Sequence, residues 1–142
     1  MEKILLEFVN TLDSLFKKLQ EEAGSRSGVL GLTISQFQYI DAIYQLGEPT
    51  ITEIATYLGI TKASVTAGIN NLSKRGYITK TQSPQDKRVF RVSLTQTGMR
   101  LINAKYQALK EYGEFISAAL TQEEARQFQS IITKLVKVFK QT

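Results

Sequence analysis

Between Thr61 and Lys74 the chain interleaves small, amide and basic side chains in a pattern suited to touching the edges of nucleic-acid bases. A helix over this stretch turns about 100° per residue, so with Val65 at the centre of a buried face Ile69 and Leu72 fall within roughly 40° of it. The opposite face then presents Ala63, Ala67, Asn70 and Lys74, flanked by Ser64, Thr66 and Asn71. Alanine permits close approach and can touch a thymine methyl, asparagine can pair bidentately with adenine, and serine or threonine can bond bases or phosphates. Thr61 opens the helix, while Lys62, Lys74 and Arg75 suit phosphate contacts or simple solvation. The bland alternative is an ordinary polar surface. Against it stands the position of this helix, after a tight turn and before a basic hairpin containing Asp86, Lys87, Arg88 and Arg91.

Catalytic and metal chemistry find little to work with. The chain of 142 residues has no cysteine and no histidine. Thiol redox sensing is thereby excluded, and the commonest transition-metal ligand and general base are missing. No nucleophile–base pair or phosphate loop is recognisable, so neither an enzyme nor a bound metal or other cofactor is expected. The Glu123-Glu124 pair reads as helix-start electrostatics rather than a catalytic dyad. The net charge of +5 is unevenly spread. Lys62, Lys74, Arg75, Lys80, Lys87, Arg88, Arg91 and Arg100 face only Glu53 and Asp86 across residues 50–100, a local net of +6. Such an excess is the footprint expected of a face that meets a polyanion.

The elements that must hold these residues are legible from periodicity and caps. Leu5, Phe8, Leu12, Leu15 and Leu19 follow at spacings of 3, 4, 3 and 4, widened by Ile4 and Phe16. They predict an amphipathic first helix, with Gly24-Ser25-Arg26-Ser27-Gly28 expected to end it in a flexible loop. Thr33 with Gln36, Thr50 with Glu53 and Thr121 with Glu124 read as capping boxes that open three further helices. Gly59 marks a tight turn before the Thr61 helix, and Gly76 closes that helix. Tyr77 to Thr81 and Val89 to Ser93 suit a two-stranded ribbon turned by Ser83-Pro84-Gln85-Asp86. A long helix is expected from Gln96 to Ala118, and the last helix places Ala125, Phe128, Ile132, Leu135 and Phe139 at spacings of 3, 4, 3 and 4. The apolar share of 42% fits a water-soluble domain, and no apolar run approaches the ~20 residues of a membrane span. The N-terminus carries Glu2, Glu7 and Asp13 and resembles no targeting peptide, so a cytoplasmic, membrane-free protein is expected. Stripes at both ends favour a homodimer over a self-contained bundle.

Taken together, the motifs resemble those of the multiple-antibiotic-resistance regulator (MarR) family. Ala55, Gly59 and Val65 stand at helix-turn-helix spacings, and Leu72-Ser73-Lys74-Arg75-Gly76-Tyr77-Ile78 resembles the close of a winged regulator. Asp86-Lys87-Arg88, the strand to Leu94 and then Thr95-Gln96-Thr97-Gly98 resemble the family's wing and its following signature. The resemblance implies a mainly α fold with a small two-stranded β wing. Residues 33–98 would form the winged helix-turn-helix, and residues 1–32 and 99–142 the dimerisation helices, within one domain of 1–142. It also implies that Arg88 enters a minor groove with Asp86 orienting it. Lys87 replaces a frequent second arginine and is left a phosphate contact. Gly68 stands where a larger apolar residue is common, and close packing against a neighbouring helix is expected there.

The function so implied is a sequence-specific DNA-binding transcriptional regulator. It would act as a homodimer, more often a repressor, on a pseudo-palindromic operator with half-site centres about 10 bp apart. A small organic effector is implied too, lined by Phe16, Phe37, Tyr39, Tyr44 or Tyr112, each of which equally suits a core. The Thr66 to Tyr77 stretch also resembles regulators of fatty-acid synthesis, which favours an acyl-type effector. A constitutive architectural DNA-binding protein, or a winged-helix protein-interaction module, are the competing readings. The basic 50–100 segment argues against the second.

Overall fold

Four threonines set where helices begin. Thr33, Thr50 and Thr121 each accept from the backbone N–H three residues on, and the side chains of Gln36, Glu53 and Glu124 return the bond. Thr61 accepts from the N–H of Ser64 in the same way. These bonds satisfy amides that the first helical turn leaves without partners. The computed structural model describes residues 1–27 and 32–141. Its helices are α1 (Glu2–Ser27), α2 (Ile34–Leu46), α3 (Ile51–Leu58), α4 (Lys62–Lys74), α5 (Gln96–Ala119) and α6 (Gln122–Lys140). Between α4 and α5 the strands β1 (Ile78–Gln82) and β2 (Phe90–Leu94) pair antiparallel, with Lys80 opposite Val92. The fold is thus mainly α with a two-stranded wing.

Two departures from expectation are local. The helix α1 runs through Gly24 to Ser27 instead of breaking there. Gly24 is buried within the helix, although glycine costs a helix ~1 kcal/mol. The rest of the expected loop, from Gly28 to Gly31, lies outside the described residues. Both strands begin one residue later than expected. The N–H of Tyr77 is still bonded to Leu72 O at 3.1 Å, closing α4, and that of Val89 to Asp86 O at 3.0 Å, inside the turn.

The chain divides into two compact units, Met1–Tyr106 and Gln107–Thr142. In the first, Ile40 and Ile43 of α2, Ile54 of α3, and Val65, Ile69 and Leu72 of α4 are fully or almost fully buried. Ile78 and Val92 of the wing and Leu101 and Ile102 of α5 join the same core. In the second unit, α6 buries none of its residues and leaves Ile131, Leu135, Val138 and Phe139 exposed. Among the described residues no helix is long and apolar enough to cross a membrane, and no group of acidic residues could hold a metal ion.

The connection between α2 and α3 anchors the wing. Val92 N–H donates to Pro49 O at 2.9 Å, Thr50 and Arg91 form a bridge, and the Arg91 guanidinium donates to Glu48 O at 3.1 Å. At the other end of the wing, Thr95 joins α5 to the end of α4 through its hydroxyl on Gly76 O at 2.6 Å. Gly98 follows because a Cβ there would run into the carbonyl oxygen of Tyr77.

Gly68 is where α4 crosses α2. A Cβ on Gly68 would overlap the ring of Tyr39, with Cζ at 2.8 Å and Cδ2 at 2.9 Å. That ring is buried, and its hydroxyl donates to Ser64 O at 3.2 Å, so it has little room to retreat. Helix propensity favours alanine by roughly 1 kcal/mol, but overpacking of this kind typically costs about 1–3 kcal/mol. Gly68→Ala is therefore expected to lower the urea midpoint at unchanged m-value. Adding Tyr39→Leu should recover part of the loss. A Gly68→Ala protein more stable than the parent would contradict this packing.

Candidate nucleic-acid interface

With Val65, Ile69 and Leu72 inward, the helical period fixes what α4 leaves outside. Lys62, Ala63, Ser64, Thr66, Ala67, Asn71 and Lys74 are exposed, and Asn70 is half-buried. Several of these side chains are already bonded within the protein. The Thr61 hydroxyl donates to Ser64 Oγ at 2.9 Å, and that of Thr66 to Lys62 O at 2.8 Å. Each hydroxyl therefore offers its lone pairs outward more readily than its proton. Ala63 and Ala67 leave a shallow strip along which a partner can approach the helix closely.

The two asparagines are braced from opposite flanks. On one side Lys80 of β1 donates its Nζ to Asn70 Oδ1 at 2.6 Å while lying 5.7 Å from the centre of the Phe90 ring. On the other, Gln36 Nε2 of α2 donates to Asn71 Oδ1 at 2.9 Å. The oxygen of the same Gln36 accepts from Thr33 N–H at 2.9 Å and from Arg75 Nη1 at 3.2 Å. Arg75 in turn packs 5.3 Å over Tyr77. One amide thus caps α2 and ties it to the end of α4. The bidentate adenine pairing expected of asparagine uses the amide oxygen as an acceptor, and at Asn70 a lysine ammonium already takes one of its lone pairs. Gln36 and Lys80 join the site only through the fold. No spacing rule connects Gln36 with Asn71, and Lys80 registered only as one charge among eight.

The wing tip is ordered by its own polar bonds. Ser83 N–H donates to Val89 O at 2.8 Å, and Gln82 Nε2 donates to Lys87 O at 2.7 Å. Ser83 Oγ accepts from the N–H groups of Gln85 at 3.3 Å and Asp86 at 3.4 Å. Asp86 then holds Arg88 in a fork, with Nε and Nη2 each donating at 3.2 Å, and accepts the Arg88 N–H at 3.0 Å. The Arg88 side chain remains 90% exposed. Those bonds from the Arg88 side chain, and after them its backbone N–H, hold the Asp86 carboxyl below the ordinary aspartate value against a small opposing effect of burial. The Lys87 side chain is exposed beside them. Arg91 is not brought to this tip. Its guanidinium is engaged with Glu48 at the wing base.

The aromatic residues expected around an effector differ in their surroundings. Phe37 and Tyr39 are buried in the core of the first unit, where Tyr39 abuts Gly68. Tyr44 packs on Tyr106 with ring centres 5.5 Å apart, Phe16 is exposed on α1, and Tyr112 is half-buried in the second unit. Phe37 and Tyr39 serve the packing of the first unit.

Comparison with known proteins agrees with this arrangement. A model of the MarR family matches residues 30–89. The HTH-type transcriptional regulator PapX of Escherichia coli is 31% identical over 126 residues, which span 87% of this chain and 76% of that protein. The HTH-type transcriptional repressor MdtR of Bacillus subtilis is 25% identical over 140 residues, spanning 96% of this chain and 88% of that one. Among solved structures, Streptococcus pneumoniae FabT in complex with DNA superposes with a TM-score of 0.78 at 26% identity, covering 96% of this chain and 98% of that one.

The Asp86–Arg88 fork has a consequence for pH. Because the folded carboxyl is acidified, the fork is fully formed above the ordinary aspartate range and is lost only as pH falls through the lowered value. Carbon-detected NMR should find the Asp86 carboxyl titrating below the ordinary aspartate value. In Arg88→Ala its midpoint should move up. An Asp86 midpoint unaffected by removal of Arg88 would show that the fork does not persist in solution.

Proposed function

Because this chain belongs to the MarR family of winged helix-turn-helix transcriptional regulators, we propose that it represses transcription as a homodimer by gripping DNA with α4 and the wing. The DNA-binding regulator is what the family and its relatives have in common. The observation that carries the finer reading is the pairing of two exposed features on one compact unit. One is the Ala63–Ala67–Lys74 face of α4, opposite a seam with no solvent exposure. The other is an arginine held out from the wing tip by its own aspartate. A major groove admits the helix, and the strong negative potential of a narrow A·T-rich minor groove attracts the arginine. In this reading Thr61, Lys62, Ser64, Thr66, Asn70, Asn71 and Lys74 meet bases and phosphates. Lys87 adds a phosphate contact, and Arg91 positions the wing.

A second copy of the chain is the natural cover for α6. Phe128, Ile132, Leu135 and Phe139 form an exposed apolar row on a helix with no buried residue, and contiguous exposed apolar surface marks interaction sites. The exposed Ile4, Leu5 and Phe8 of α1 form a second such row. Two-fold pairing would set two reading heads on half-sites about 10 bp apart, centre to centre. The name of the relative MdtR supports repression as the mode of action. Release from DNA by a small organic or acyl-type effector requires about 1.4 kcal/mol of coupling for each tenfold loss of affinity. Exposed ring surface for such a ligand remains on Phe16 and Tyr44.

Three measurements test this function. On a duplex selected from random DNA, Arg88→Ala should weaken binding by about 1–3 kcal/mol and relax the preference for A·T flanks. Wild-type affinity should fall with salt at a log–log slope of roughly −0.9 per phosphate neutralised. Wild-type affinity for Arg88→Ala, or binding indifferent to salt, would contradict the proposal. Sedimentation should show a dimer for the parent and a monomer for Leu135→Glu at micromolar concentration. A monomeric parent, or a variant that stays dimeric, would reject α6 as the interface.

A further inference from the structure

We infer that the two asparagines of α4 read DNA as donors alone: Asn70 and Asn71 have their side-chain oxygens held by the protein and offer N–H groups to the groove. This rests on the reading of α4 as the DNA-contacting helix and specifies what that helix selects. The orientation of both amides follows from donor and acceptor chemistry. Lysine has donors and no acceptor, so the atom of Asn70 that lies 2.6 Å from Lys80 Nζ must be its oxygen. Arginine likewise has only donors. The Gln36 atom that meets Arg75 Nη1 at 3.2 Å and Thr33 N–H at 2.9 Å is therefore its oxygen. Gln36 must then point its NH2 at Asn71, and Asn71 must answer with its oxygen, at 2.9 Å. A cation at each end thus sets the polarity of the adjacent pair. The two NH2 groups are left as the part each asparagine can extend to a partner.

This polarity changes the base that fits. Bidentate pairing with adenine needs the asparagine oxygen to accept from N6 while its nitrogen donates to N7. The Asn70 oxygen retains a second lone pair, but the ammonium beside it repels the partly positive N6–H group. Guanine instead presents two neighbouring acceptors, N7 and O6, and no donor between them. Asn70 is accordingly a specificity-determining residue that favours guanine, with Lys80 as the residue that sets its preference. Lys80 also lies over Phe90, which helps keep its head at the asparagine.

The test is selection of duplexes from random DNA by the full-length wild type, Lys80→Met and Asn70→Ala. Lys80→Met keeps the apolar stem on an exposed strand residue and removes the donor. Loss of its charge lowers affinity whatever the duplex sequence, so the readout is the adenine-to-guanine ratio at the position that loses its preference in Asn70→Ala. The expected result is guanine there for wild type, and a shift toward adenine of at least about tenfold in Lys80→Met. Replacing that guanine by 7-deazaguanine should weaken wild-type binding about tenfold and leave Asn70→Ala unaffected. Adenine at that position in wild-type sites, or a ratio unchanged in Lys80→Met, overturns the donor-only reading while leaving α4 as the reader. A selected site that keeps every preference in Asn70→Ala removes Asn70 from base reading and overturns the inference. No enriched duplex with wild type overturns the DNA-reading proposal itself.

Discussion

Burial of the Val65–Ile69–Leu72 seam is the constraint from which the interface follows. None of the three is exposed to solvent, and each completes a core shared with α2, α3, the wing and the start of α5. Fully burying such side chains contributes on the order of 1.5–3 kcal/mol apiece. No other face of α4 could replace that gain, since its remaining positions are mostly small, amide or basic. The rotation of the helix about its axis is thereby set. Ala63, Ala67 and Lys74 must face outward, and Asn70 and Asn71 must fall on the two flanks. The close crossing at Gly68 and Tyr39 sets how near α4 lies to α2, which brings Gln36 within reach of Asn71.

The wing is held by a different kind of interaction. Its base is tied by backbone bonds to the α2–α3 connection, by Arg91 on Glu48, and by Thr95 on the end of α4. Helix and hairpin are thus mounted on one frame, and Lys80 links them again through Asn70. A site ordered before its partner arrives loses less conformational entropy on binding. Arg88 follows the same logic on a smaller scale. It is almost fully exposed, and a surface ion pair of this type contributes little to stability. Its value is directional, since the fork narrows the volume an unrestrained guanidinium would sweep.

Much of this architecture was readable from short-range chemistry. Capping boxes involve residues three apart, so Thr33, Thr50 and Thr121 announced their helices without reference to the fold. The buried seam was visible in the 3.6-residue period, whereas the pairing of Asp86 with Arg88 was implied only by the family resemblance. The strand starts were misjudged by one residue because Tyr77 and Val89 have strand-like side chains but backbone bonds that belong to a helix end and a turn. The polarity of the asparagines was out of reach for a deeper reason. Gln36 and Asn71 are 35 residues apart and meet only because the core brings α2 and α4 together. A separation of 43 residues likewise hid the bond from the Arg91 guanidinium to the carbonyl of Glu48.

The central claim is that one surface, built from α4 and the wing tip, meets DNA. The direct measurement is residue-resolved NMR of the isotopically labelled protein while a selected duplex is added. The account places the largest perturbations at Thr61–Arg75 and residues 83–89, with the Arg88 Nε–H among the most shifted side-chain signals. Perturbations concentrated on α6, with α4 and the wing tip unmoved by saturating duplex, would contradict it.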